Sequence, residues 1–470
     1  MKEGGGDGVG PVTKGRGWSF RPAPVVTLGE GGQEQADAAM LHQGVNDVQL
    51  FKDWMGLRAY CFAPSTGLDH PHVEAKEVPP HLAEVLVMML KVGPQQLVAA
   101  GAGVIPMTQN VRGGLFRMAG MRGVSCYPES RRKGHVSALM KSALGLMRDH
   151  AVPFSALYPF KASFYERMGY VCVHSKRKVV FSPAIFAGLR PSPALRLERV
   201  PAAGFDKNEY VNLLARLQKK VHGFARFADE TLEKHMDWSE KVIPHWAVVV
   251  RDHKGIAGVL GYTLGPFMTG TMKVDVFAYA SVAARTALLS WIGSHTDQAP
   301  VIWADFGCCA KEVTLIISPD EDFENLVADA AFHITSVEIL KPQMARVVSV
   351  KGLEGLPVGG DDGLQLDFTL LDPFFPANHQ QRYRFTVHQG RLRVQHRDKA
   401  EASGDHHDSD DGAGAQLDVR GLTALVFGVV KEGADEIEGR GWGNSFPKAT
   451  RRVIKAMFPP TTRPLLYENF

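Results

Sequence analysis

The sequence predicts a mixed α/β (α+β) chain organised in about three domains. Three observations lead there. A strand–helix–strand–helix–strand order runs from Leu115 to Val180, and a second strand-then-helix unit follows Pro191 and Pro193. From Met344 onward, a third stretch shows apolar residues alternating strictly with polar ones. With 45% hydrophobic and 22% charged residues, the chain has apolar material for several cores.

The elements follow in order. Ten glycines fall among the first 32 residues, mixed with Pro11, Pro22 and Pro24, so residues 1–38 read as a flexible tail that cannot bury enough to order itself. From Asp47, the apolar residues Val48, Phe51, Trp54 and Met55 recur at helical spacing. Leu97 to Val104 and Gly114 to Cys126 are apolar runs broken by glycines, which suits strands. The segment Lys133 to His150 is the most regular. There Val136, Leu139, Met140, Ala143, Leu144 and Met147 line one helical face. Pro153 ends it, Phe154 to Tyr158 read as a strand, and Ala162 to Met168 as a short helix closed by Gly169.

Further on, Tyr210 to Val221 read as a helix and Trp246 to Leu264 as a hairpin turning near Asp252 to Gly255. Met272 to Ala280 read as a strand and Val282 to Gly293 as a helix, an order that echoes the first unit. In the third stretch Leu364, Leu366, Phe368 and Leu370 alternate with polar residues, as do Tyr383, Phe385 and Val387. Gln389-Gly390 then turns into Leu392 and Val394, and Lys399 to Gln416 read as a solvated loop. The chain closes on Pro464, Leu465, Leu466, Tyr467 and Phe470, apolar enough to be docked rather than frayed.

Composition excludes several classes. The 53 Lys+Arg against 50 Asp+Glu leave a net charge of +3, too little for a nucleic-acid coat. The longest aliphatic run, Val85 to Leu90, falls far short of the ~20 residues that span a bilayer. Cys61, Cys126, Cys172, Cys308 and Cys309 form an odd, scattered set without a CxxC pair, neither a disulfide framework nor a zinc site. His406-His407 and the neighbouring Asp residues sit in the polar loop, where ordering entropy opposes a metal site. No metal is expected. The N-terminus lacks a continuous apolar leader core, so the chain reads as soluble and cytoplasmic.

Chemistry concentrates in Gly123 to Val136, GVSCYPESRRKGHV. A strand runs into Arg131-Arg132-Lys133-Gly134 as the long helix opens. A helix start offers unpaired N–H groups and the positive end of the dipole, and the cations add to that field. Such a start suits a phosphate or diphosphate more than a merely solvated basic turn. Neither GxxxxGK[ST] nor GxGxxG is present.

One helix later comes SALYPFKASFYERMGY (Ser155 to Tyr170). The pairing of RRxG, amphipathic helix, strand and FYxxxGY resembles the GCN5-related N-acetyltransferase superfamily, whose R/Q-x-x-G-x-G/A loop grips the coenzyme A pyrophosphate. Arg131, Gly134 and Val136 stand at those positions, with Val136 a departure from Gly/Ala. The two runs together look like the Eis-type (enhanced intracellular survival) acetyltransferases. LDPFFPANHQQRYRFTV, LDVRGLTALVFG and MFPPTTRPLLYENF are similar to that family's closing domain. The resemblance implies two tandem acetyltransferase-like domains, the second degenerate, plus a C-terminal sterol-carrier-protein-like α/β domain. The corresponding ranges are 39–190, 191–343 and 344–470.

Carried across residue by residue, the resemblance implies a site for acetyl-CoA as co-substrate. Val124, Ser125 and Cys126 would offer strand backbone to the pantetheine arm. Arg131, Arg132, Lys133, Gly134, His135, Val136 and Ser137 would hold the diphosphate, and Phe160 and Lys161 would flank the co-substrate further along. The family often has Ser-Glu where Phe160-Lys161 stand. Tyr165 matches the family's general acid, and the terminal carboxylate of Phe470 its general base. The acceptor implied is a primary amine: a protein lysine, a polyamine or an aminoglycoside-like polycation. A homo-oligomer, a hexamer, is implied as well. Tyr158 and Tyr170 read as packing residues and Cys126 as an inert strand residue. Ser281-Val282-Ala283-Ala284 opens the second unit's helix without cations or glycine, so no second co-substrate site is expected. An alternative from another class is a lipid- or protein-binding scaffold that kept the fold and lost catalysis.

Overall fold

A computed structural model describes residues 18–21, 26–28, 39–64, 76–201, 205–227, 245–265, 271–297, 301–304, 314–315, 334–397, 414–461 and 464. Most of the Gly-rich tail, Cys308, Cys309, the Asp/His stretch around His406, and the terminal residues Leu465, Leu466, Tyr467 and Phe470 lie outside the described residues. Two units gather the chain, one with residues up to Val171 together with Met344–Thr461, the other with Cys172–Gln343.

The first unit opens with β1 (Val26–Leu28), β2 (Ala39–Val45), α1 (Val48–Phe62), β3 (Leu86–Val92), β4 (Leu97–Val111), β5 (Gly114–Cys126), α2 (His135–Asp149), β6 (Phe154–Leu157) and α3 (Ala162–Glu166). Its sheet runs β1-β2-β3-β4-β5-β6, antiparallel through β5. β6 then pairs parallel to β5 after the α2 crossover. Asp47 caps α1 by accepting from the Leu50 N–H at 3.0 Å.

Alternation along β4 sets the layers. Ala100, Ala102 and Val104 join the cluster containing Leu139, Met140, Ala143, Leu144 and Met147 of α2. Each large apolar side chain buried there contributes about 1.5–3 kcal/mol of transfer free energy. Gly101 and Gly103 point the other way, beneath α1. A Cβ on Gly103 would lie 2.7 Å from the buried Trp54 ring, and one on Gly101 would lie 3.3 Å from Leu57. The glycines therefore let α1 settle on the face opposite α2.

The second unit comprises β7 (Val171–Phe181), β8 (Arg196–Pro201), α4 (Lys207–Lys220), β9 (Ala225–Arg226), β10 (His245–Asp252), β11 (Gly255–Leu264), β12 (Thr271–Tyr279), α5 (Val282–Gly293), β13 (Val301–Ala304) and β14 (Thr314–Leu315). Its strands run β7-β13-β12-β11-β10-β8, and β12 also pairs with β14. Phe186, Val248, Leu260, Phe277 and Leu288 are among its core residues. A bidentate Arg251–Glu209 pair at 2.7 and 2.8 Å ties β10 to α4. The Arg251 hydrogen bond holds the Glu209 carboxyl below its usual range.

The chain re-enters the first unit at the end of β15 (Ile334–Val347), where Met344–Val347 pair antiparallel with β6. A separate four-stranded sheet follows, built from β16 (Gln365–Leu371), β17 (Gln381–His388), β18 (Arg391–Arg397) and β19 (Gln416–Asp418) in the order β18-β17-β16-β19. Leu366, Phe368 and Leu370 are its buried face, as the alternation predicts. Helices α6 (Val419–Val426), α7 (Ala434–Gly439) and α8 (Lys448–Met457) complete it. Arg112, in the two-residue β4–β5 turn, pins this part of the unit. It donates to the carbonyls of Val426, Leu425 and Pro459 at 2.9, 2.7 and 3.0 Å. Burial pushes its guanidinium down to about 10, so it stays charged at neutral pH.

Among the described residues no helix is long and apolar enough to cross a membrane, and no cluster could hold a metal ion.

Space at β4 is testable. Gly103→Val places a side chain against Trp54, and overpacking of this kind costs about 1–3 kcal/mol. The urea midpoint should fall at unchanged slope, and Trp54→Leu in the same chain should restore part of the loss. An unchanged midpoint would contradict this packing.

Candidate active site

Two strands pair in parallel over a short stretch. β5 and β6 are in parallel register only from Met118↔Phe154 to Met121↔Leu157. Just beyond, the β4–β5 register passes from Gly103↔Arg122 to Gly101↔Ser125, so β5 carries one extra residue. This is a bulge, which bends the strand and frees backbone groups from the ladder. Gly123 makes it possible. Its φ is 58°, and a Cβ there would lie 2.7 Å from the Arg58 Cδ and 3.0 Å from Trp54. The Gly123 carbonyl accepts from the Trp54 indole at 3.2 Å and from the Ser125 hydroxyl at 3.0 Å. The two parallel strands share a carboxyl edge with two lips: Val124, Ser125 and Cys126 end β5, and Tyr158, Phe160 and Lys161 follow β6.

The first lip leads into the start of α2. Arg131 turns back, its Nε donating to the Cys126 carbonyl at 3.2 Å. Arg132 is held at φ 62° and Gly134 at φ 81°. Arg131, Arg132, Lys133 and Gly134 are all exposed. The first helical bond runs from the Ala138 N–H to the Gly134 carbonyl, and no side chain caps the turn before it. A helix start of this kind carries the positive end of the dipole. A Cβ on Gly134 would meet nothing within 4 Å, so the space in front is open. Open space, uncapped amides and exposed cations fit a diphosphate. Val136 spends its side chain on the core, which accounts for an aliphatic residue where a glycine or alanine is commoner. α5 opens differently, with the Ser281 hydroxyl capping the Ala284 N–H at 3.2 Å.

The second lip leads into α3 and Tyr165. Phe160 is 55% exposed, whereas Tyr165 is only 3% exposed. The Tyr165 ring meets Phe160, Phe164 and Tyr170 edge-on at 5.8, 5.1 and 6.0 Å. Its carbonyl accepts from the N–H groups of Met168 and Tyr170 at 2.9 and 3.1 Å, a turn closed by Gly169 at φ 82°. The Tyr170 hydroxyl is committed to Ser155 Oγ at 2.8 Å. Among the described residues, no hydrogen bond holds the Tyr165 hydroxyl.

Burial, with Tyr170 nearby, raises the Tyr165 phenol above its usual range, so it is a neutral donor at physiological pH. Burial also pushes Tyr170 up to about 12. The Cys126 thiol is raised chiefly by burial, against the pull of Arg131 and Lys133, so it is a poor nucleophile.

Arg131 thus meets Cys126 at the end of β5, and Phe160 meets Tyr165 after β6. The Phe470 carboxylate lies outside the described residues. Sequence reasoning passed over Gly123, although a glycine inside a strand run is itself a sign of a bulge.

Residues 48–173, from the start of α1 to just past Tyr170, match the acetyltransferase (GNAT) domain family. The chain therefore carries a GNAT acetyltransferase domain. Solved structures similar to it include a GCN5-related N-acetyltransferase from Anabaena variabilis, at 17% identity and TM-score 0.69, covering 92% of this chain and 100% of that one. Another from Kribbella flavida is 20% identical with TM-score 0.68, covering 93% and 99%. Eis1 from Mycobacterium abscessus is 20% identical with TM-score 0.60, covering 81% and 90%. At such identities the likeness establishes the fold. A comparison with curated proteins found no match.

The raised phenols fix a sign for alkaline stability. The folded chain keeps both protons where an unfolded tyrosine, with pKa about 10, loses its own. The stability they contribute is complete below the unfolded value and is lost as pH rises through the folded values. Urea midpoints should therefore fall above about pH 10, and less steeply in Tyr165→Phe. An identical alkaline decline in both proteins would contradict the buried, neutral phenol.

Proposed function

We propose that the chain is an acetyl-CoA-dependent N-acetyltransferase acting on a primary amine. The observation that carries this reading is the shared carboxyl edge of the parallel strands β5 and β6. A basic, uncapped helix start lies at the end of one lip, and a buried neutral tyrosine with an uncommitted hydroxyl lies on the other. Arg132, Lys133, Gly134, His135, Val136 and Ser137 hold the diphosphate, with Arg131 bracing the turn. Val124, Ser125 and Cys126 present backbone to the pantetheine arm, and Phe160 and Lys161 flank it.

In the reaction the amine nitrogen bonds to the thioester carbonyl carbon, the C–S bond breaks, and the sulfur leaves with the electron pair. Freed strand N–H groups at the bulge stabilise the oxyanion. Tyr165 supplies the sulfur's proton. Because burial disfavours tyrosinate, hydrogen-bond donation to the leaving sulfur precedes full transfer. The amine's proton goes to the terminal carboxylate of Phe470, directly or through water. Acceptors of the class are protein lysines, polyamines and aminoglycoside-like polycations. The further parts of the proposal are a cytoplasmic homo-oligomer, hexameric in form, and a sterol-carrier-protein-like character for the stretch from Met344.

Binding is tested at Gly134. Gly134→Asp sets a carboxylate in the open space before α2 and should abolish acetyl-CoA binding by calorimetry with the fold retained. Unchanged affinity would sink the diphosphate assignment.

Turnover is tested at the two proton carriers. Tyr165→Phe should lower kcat by about two orders of magnitude, within the range of general acid catalysis. C-terminal amidation neutralises the Phe470 carboxylate while keeping its side chain, and should cost activity similarly. Full activity after amidation rejects that base. A wild-type protein that binds acetyl-CoA yet releases no thiol with any amine points to the scaffold reading.

A further inference from the structure

One charged pair lies wholly inside the first unit. Arg346 and Asp372 have side chains with 0% exposure, and their ion pair spans 2.5 Å. Arg346 stands opposite Ser155 in the β15–β6 register. Its Nη1 donates to the Met168 carbonyl, its Nε to the Val347 carbonyl at 3.2 Å, and its guanidinium lies over the Tyr170 ring at 5.9 Å. Met168 and Tyr170 are the two residues whose N–H groups hold the Tyr165 carbonyl. A Cβ on Gly169 would fall 2.9 Å from Arg346 Nη1, so the guanidinium fills the space that the glycine leaves.

Asp372 is fixed in turn. It accepts from the Phe375 N–H at 3.2 Å and from the Asn378 amide at 3.3 Å. The same LDPFFPANH segment buries Phe375 in the cluster with α2, and Arg148 of α2 donates to the Ala377 carbonyl at 3.0 Å. One loop therefore braces both the helix that starts at the cations and the turn that carries Tyr165.

A buried ion pair is weak evidence for stability, since apolar replacements of similar volume are often neutral or better. A planar guanidinium, however, fixes several directions at once in a way that an apolar side chain cannot. We propose that Arg346 and Asp372 are positioning residues that hold the turn carrying Tyr165, which makes the stretch after Met344 an integral part of the acetyl-transfer site. This rests on the reading of Tyr165 given above.

The test replaces the pair together, Arg346→Met with Asp372→Leu, so that no charge is left uncompensated. Arg346→Lys is the second variant, keeping a cation opposite Asp372 without the fork. Steady-state rates with acetyl-CoA and an amine are read beside hydrogen exchange at the Met168 and Tyr170 amides. The folded variants should lose about ten- to a hundredfold in kcat, the scale expected for a small misplacement of a reacting group. KM for acetyl-CoA should stay unchanged, and both amides should exchange faster. Adding Tyr165→Phe should cost much less in the variants than in the wild type, because the tyrosine is already out of place. Wild-type kcat and protection in folded variants, or strictly additive losses, would overturn the proposal. If the double replacement does not fold, Arg346→Lys alone decides by the same readings. If the wild type turns over no amine, the acetyltransferase reading fails, while amide exchange still decides whether Arg346 holds the turn.

Discussion

The candidate site depends on two parallel strands, paired over Met118–Met121 and Phe154–Leu157, whose carboxyl ends share one edge. Ligands of α/β sheets bind outside the carboxyl ends of strands, and the candidate residues follow those ends of β5 and β6. The bulge at Gly123 bends β5, and Trp54 and Arg58 of α1 fill the space against it. A side chain at Gly123 would push α1 off the sheet or straighten the strand. Either would disturb the run from β5 into the start of α2.

The two lips divide the electrostatic labour. Arg132 and Lys133 are exposed at the start of α2, where their field reaches an anion across water and falls with salt. Tyr165 sits in a dry aromatic cluster, where the cost of tyrosinate keeps its proton in place. An anion grip can remain solvated, whereas proton transfer gains from a low-dielectric wall. Across the second unit the contrast is plain, because α5 begins under its own serine cap and has no exposed cation run.

Much of this was legible in the sequence because it is local. The apolar period of Val136 to Met147 gave α2, and the alternation of Leu366 to Leu370 and Tyr383 to Val387 gave β16 and β17. Arg131 to Gly134 was legible as composition at a helix start. The illegible parts are relations across the chain. The need for glycine at position 123 comes from Trp54 and Arg58, residues far earlier in the sequence. Nothing periodic in the sequence marks Arg346 and Asp372 as a buried pair, yet neither is exposed at all. No local pattern tells that Arg112 grips the carbonyls of Leu425, Val426 and Pro459, which only the fold shows. The same applies to Met344–Thr461, which no local pattern assigns to the unit of the first strands.

The most direct measurement is hydrogen–deuterium exchange with and without acetyl-CoA. A site that cradles the thioester and its diphosphate here should slow exchange at Val124 to Cys126 and at Gly134 to Ser137, with little change at the start of α5. Protection absent from both of those segments while acetyl-CoA binds, or concentrated at Val282 to Ala284, would contradict the account.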